Sequence, residues 1–97
     1  MNATMNATTN TIRTSSDGPY RKGINDGYDM ADSYIIEHEG ELPDESHGYD
    51  WYEYLVNQVG HDEARRYLCD LSARTQGRYN RGCDHGYNQR IAEQSAR

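Results

Sequence analysis

"PYRKGINDGYDM" (Pro19–Met30) and "RYNRGCDHGYNQ" (Arg78–Gln89) share one pattern, Y-x-x-G-x-x-x-G-Y, and each copy follows a glycine. Tyr20, Gly23, Gly27 and Tyr28 align with Tyr79, Gly82, Gly86 and Tyr87. Glycines four apart sit one above the other on an α-helix and leave a flat strip without side chains. Another backbone can press closely into such a strip, as small-x-x-x-small faces do in membranes. Two copies walled by tyrosines predict that the first and last helices cross at Gly23, Gly27, Gly82 and Gly86, with an internal pseudo-symmetry.

The flanking residues support this. On a helical wheel Tyr20, Gly23, Ile24, Gly27, Tyr28, Met30, Ala31, Tyr34 and Ile35 fall on one arc. Lys22, Asn25, Asp26, Asp29, Asp32 and Ser33 lie opposite, and Ile36 is the one misfit. Pro19 suits the first helical position, where its missing N–H costs nothing, and the helix is expected to end near Gly40. "GELPDESHG" (Gly40–Gly48) reads as an exposed loop. Asp50 is placed to cap a short helix, "WYEYLVNQV", closed by Gly60. Asp62 is placed to cap the next.

From Ala64 a stripe of Leu68, Leu71, Thr75, Tyr79, Gly82, Cys83 and Gly86 runs on without a proline. It predicts one long helix to about Gln94, bent near Gly77. No run alternates with the two-residue period of a strand. The expected fold is all-α: a small bundle of three to four helices over residues 18–97. "MNATMNATTNTIRTSSD" (residues 1–17) reads as a disordered leader.

The 97 residues include nine tyrosines, one tryptophan and no phenylalanine, so a thin, tyrosine-rich core is expected. No apolar run approaches the roughly 20 residues needed to span a bilayer, so no membrane association is expected. With no recognisable export signal, Cys69 and Cys83 read as reduced thiols and the protein as cytoplasmic. The spacing of Cys69, Cys83, His38, His47, His61 and His85 does not fit a structural zinc site, so no metal or cofactor is expected. His61, Asp62 and Glu63 are consecutive on a helix and point different ways, so they cannot converge on one substrate atom. Nothing assembles a nucleophile with its base, and an enzyme is not expected.

Charge is sharply segregated. Residues 23–63 hold twelve Asp or Glu and no Lys or Arg, whereas residues 64–97 hold seven Arg and three acids. Close like charges on a helix cost a few tenths of a kcal/mol per pair, so such a block suggests use against a basic partner. Helical carboxylates three or four apart lie about 5–6 Å from one another, comparable with phosphate spacing along a nucleic-acid strand. Asp26, Asp29, Asp32 and Glu37, continued by Glu39, Glu41, Asp44, Glu45, Asp50 and Glu53, are therefore candidates to imitate a phosphate backbone. Tyr49, Trp51 and Tyr52 are candidate aromatic anchors; the competing role is core packing of the short helix, and it suits Trp51 better than the tyrosines. The competing reading is a solvated face paired with the arginine-rich last helix. Direct nucleic-acid binding, through Arg65, Arg66, Arg74, Arg78, Arg81 and Arg90 with Tyr67, Tyr79 and Tyr87 interleaved, is a lesser expectation because the arginines wrap around the helix.

In style, the Lys/Arg-free block "GINDGYDMADSYIIEHEGELPDESHGYDWYEYLVNQVGHDE" and the overall composition resemble the small anti-defence inhibitors of phages, the anti-CRISPR proteins and anti-restriction DNA mimics. The resemblance is of class, with no family motif carried over. It implies a non-enzymatic inhibitor in the cytoplasm of an infected bacterium, covering a basic nucleic-acid-binding protein or ribonucleoprotein such as a CRISPR effector. The arginine-rich last helix departs from the strongest mimics and implies a bipolar surface. The alternative is a self-associating regulatory or antitoxin-like module, a homodimer joined through the glycine groove.

Overall fold

A computed structural model describes residues 18–96, so the expected leader lies outside the described residues. Among the described residues there are four helices: α1 (Gly18–Glu37), α2 (Trp51–Val59), α3 (His61–Leu68) and α4 (Ala73–Ser95). No strand occurs among the described residues.

The largest interface is that of α1 with α4. Contacts advance together along both helices, from Gly23 against Tyr79 and Cys83 to Asp32 against Arg90, so the two run parallel. They cross at the repeated glycines. A Cβ added to Gly27 would lie 2.7 Å from the Cys83 carbonyl carbon; one on Gly86 would lie 2.7 Å from that of Ile24. Gly23 faces the Tyr79 carbonyl and the Cys83 amide in the same way that Gly82 faces the Tyr20 carbonyl and the Ile24 amide. Tyr20 and Tyr79, like Ile24 and Cys83, hold equivalent positions in the two repeats, so the contact has an internal two-fold relation. Ala31 and Ile35 of α1, with Ile91 of α4, continue the buried strip, while Ile36 points to solvent at 69 % exposure.

The ends of α1 and α2 follow from local chemistry. Glu39 and Gly40 take positive φ, and the Gly40 amide donates to the Ile35 carbonyl, closing α1. Asp50 caps α2 by accepting from the Glu53 amide at 3.0 Å, and Gly60 closes it with φ 88°. Gly60 serves both helices: its carbonyl accepts from the Ala64 amide, so α3 begins at His61 and Asp62 lies inside the first turn rather than capping it.

The single long helix expected from Ala64 onward is two helices. α3 stops at Leu68, and Cys69 adopts left-handed φ 73° with its amide bonded to Arg65. Asp70 accepts from the Ser72 amide at 2.8 Å, and Ser72 caps α4 by accepting from Thr75 at 3.2 Å. Gly77 lies within unbroken α4. The bend turns α3 back over the start of α1. There the Lys22 ammonium donates to the Tyr67 carbonyl in the last turn of α3, where a cation is favoured, and sits 4.8 Å from the Tyr67 ring centroid.

The core formed between these elements joins Trp51, Leu68, Tyr79 and Cys83, with Tyr52, Leu55, Tyr67 and Tyr87 packed against it. Five of these eight side chains are aromatic.

Candidate functional site

Of the ten candidate carboxylates, three do structural work. Asp26 faces inward, accepting from the Tyr79 hydroxyl at 2.6 Å and the Tyr67 hydroxyl at 2.9 Å. Burial first, and then the bonds to Asp26, raise both phenols well above their ordinary pKa. Asp32 accepts from Arg90 Nε at 2.8 Å, and that guanidinium is almost wholly covered. Asp50 is the cap of α2.

The other seven, Asp29, Glu37, Glu39, Glu41, Asp44, Glu45 and Glu53, are exposed. They run from the outer side of α1, around the 38–50 loop, onto α2. Among the described residues none of the seven forms an ion pair with Arg or Lys; Glu45 lies 3.5 Å from His47 Nε2. Among the described residues Asp32 is the one of the ten that forms an ion pair with the arginine-rich helix.

His85 occupies in the second repeat the place of Asp26 in the first. It shares a 2.5 Å hydrogen bond with the Tyr20 hydroxyl, the counterpart of the Tyr79–Asp26 bond. One end of the two-fold pair is thus a part-buried carboxyl, and the other an exposed imidazole.

A key residue missed by sequence reasoning is Asp84. From α4 it accepts from the Ser46 hydroxyl at 2.5 Å, the Trp51 indole N–H at 2.9 Å and the Gly48 amide at 3.1 Å. Burial opposes its charge, yet bonds from Ser46, Trp51 and Gly48 outweigh this and hold the carboxyl below its ordinary value. Asn88 grips the same loop, accepting from the Ser46 amide at 2.7 Å and donating to its carbonyl at 2.9 Å. Asn80 accepts from the Tyr52 amide at 2.7 Å. The i, i+4 series Asn80, Asp84, Asn88 is a polar stripe legible in the sequence, and it fixes the loop that carries Asp44 and Glu45.

Of the two aromatic candidates, Tyr49 is 51 % exposed, whereas Tyr52 packs against the core. Trp51 is buried, as expected. Two of the three tyrosines interleaved with the arginines are occupied: Tyr79 is buried, and both Tyr67 and Tyr79 bond Asp26. Arg66 pairs with Glu63 at 2.6 Å and Arg90 with Asp32, so those two are not available to a phosphate without breaking a pair.

No known family, characterised protein or solved structure matches this chain. Among the described residues no group of three or more His, Cys, Asp or Glu is arranged to hold a metal ion. No described helix is long and apolar enough to cross a membrane. Cys69 is exposed; Cys83 is buried, and its thiol is pushed up to about 12, chiefly by burial.

Proposed function

We propose that this protein is a non-enzymatic inhibitor that covers a basic, nucleic-acid-binding surface of a bacterial defence complex, in the manner of the anti-CRISPR proteins it resembles. The supporting observation is the run of exposed carboxylates from Asp29 through Glu53, which no described arginine or lysine neutralises apart from the inward-facing Asp32. Had the acidic block evolved to pair within the chain, its outer members would meet α4, and they do not. The loop carrying Asp44 and Glu45 is held by side chains of α4, so part of the acidic surface is fixed in shape before any partner arrives. Preorganised charge of one sign accelerates encounter with the opposite sign and makes binding fall with salt.

The self-associating alternative draws less support. Gly23, Gly27, Gly82 and Gly86 are consumed by the contact between α1 and α4, so a second chain would reach them only by displacing one helix.

The test is capture from bacterial lysate by the tagged protein and by Asp29→Lys with Glu37→Lys and Glu41→Lys, changes at exposed positions whose carboxylates form no ion pair among the described residues. The expected result is a nucleic-acid-binding complex held by the wild type, released as salt rises, and lost in the triple variant. Equal capture by both proteins would refute the proposal.

A further inference from the structure

Beneath the 44–49 loop a cavity of about 430 Å³ opens between the loop, α2, α1 and α4. Its walls are aromatic: Tyr49, Trp51, Tyr54 and Tyr87. The Tyr49 and Trp51 rings meet edge to face, with centroids 5.0 Å apart and an interplanar angle of 79°; Trp51 and Tyr87 are 5.3 Å apart at 52°. Asp44 and Glu45 also line it, as does His47, whose Nε2 lies 3.5 Å from Glu45, and no Arg or Lys does. Burial chiefly raises the Tyr87 phenol, with smaller contributions from Tyr34 and Asp44.

An aromatic box with carboxylates at its mouth is complementary to an organic cation, which ring faces attract electrostatically. Among side chains, guanidinium fits better than ammonium: it is planar, weakly hydrated, stacks on rings and offers several N–H donors to a carboxylate. We propose that this cavity receives an arginine side chain of the basic partner, stacked among Tyr49, Trp51 and Tyr87 and hydrogen-bonded to Asp44 or Glu45. The proposal rests on the reading of the partner as basic and adds to it a defined socket. The Asp84 bonds to Ser46, Gly48 and the Trp51 indole keep both walls in place, so the socket exists before binding.

Trp51 is the single tryptophan of the chain and reports directly on occupancy. The protein is titrated with N-acetylarginine amide, its neutral isostere N-acetylcitrulline amide, and tetramethylammonium, following Trp51 fluorescence and its indole N–H resonance. The expected result is a saturable response to the arginine compound, with citrulline and tetramethylammonium each about tenfold weaker or more. Tyr49→Ala, at a half-exposed position, and the pair Asp44→Asn with Glu45→Gln should each weaken the arginine response about tenfold with the helical circular dichroism unchanged. The lysine triple variant above leaves the socket walls intact and should still respond. No saturable response, or an equal response to citrulline, overturns the socket; tighter binding of tetramethylammonium overturns its assignment to arginine. A socket that binds arginine while lysate capture is insensitive to charge reversal would leave the socket standing and remove the inhibitor reading. Salt-sensitive capture with an unresponsive socket would do the reverse.

Discussion

Gly27→Ala adds one carbon where α1 and α4 touch, and the neighbours it meets are backbone. The new Cβ would lie 2.7 Å from the Cys83 carbonyl carbon and 2.8 Å from its Cα, where ordinary contact begins at 3.4 Å. No rotamer change relieves this, and the Cys83 carbonyl oxygen lies closer still, so the helices must part locally by at least about 1 Å, a gap that forfeits about half of the dispersion energy across it. Overpacking a well-filled contact costs about 1–3 kcal/mol, and a backbone clash belongs at the upper end. Against this, alanine is the better helix former by about 0.8 kcal/mol. The net is a loss of about 2 kcal/mol, or a fall in Tm of about 8–16 °C for a domain of this size. Gly77→Ala is the control: it lies inside α4 with nothing within 4 Å, so it gains the propensity term alone. Its Tm should rise by about 3–6 °C. Far-UV circular dichroism during urea and thermal unfolding measures both. A Gly27→Ala protein as stable as wild type would refute the close crossing.

Asp26→Ala strips two phenol hydroxyls of a charged acceptor and should cost about 2–3 kcal/mol; in a double-mutant cycle with Tyr79→Phe, coupling below about 0.5 kcal/mol would rule out the bond as a stabilising one. Asp84 has a folded pKa below that of the unfolded chain, so its contribution is complete above the unfolded value of about 3.9 and disappears as pH falls through the folded one. The gap in urea midpoint between wild type and Asp84→Asn should therefore be widest near neutral pH and close in acid; a gap independent of pH would contradict the assignment. Iodoacetamide should label Cys69 in the native protein and Cys83 only after unfolding, as mass spectrometry of the digest would show. Equal native labelling would mean that Cys83 is not enclosed.

The helical class, α1, the limits of α2 and the glycine crossing could all be read from residue patterns, because each is set by local chemistry: Pro19, the glycine spacing, Asp50 and Gly60. The break between α3 and α4 escaped because Leu68, Leu71 and Thr75 stay in helical phase across it. Cys69 also takes a left-handed conformation without the glycine that usually marks one. Asp70 and Ser72, three residues before Thr75, were the available signals of a new helix start. In the acidic block the total charge was legible but its division was not. Whether Asp26 faces tyrosines or water depends on how α3 folds back over α1, and Asp84 became a loop clamp only once Ser46 and Trp51 were brought beside it.

The joining of α1 to α4 also bears on how the chain acquires its structure. Its bonds link residues 53 to 65 positions apart, from Tyr79–Asp26 to Tyr20–His85, so little of the principal interface is local. Closing so long a segment carries an entropic cost that must be met before the glycine strips touch, which slows folding relative to helical proteins rich in near-neighbour contacts. During synthesis, α1 therefore waits without its mate until α4 has left the ribosome, its acidic side keeping it dissolved in the interval.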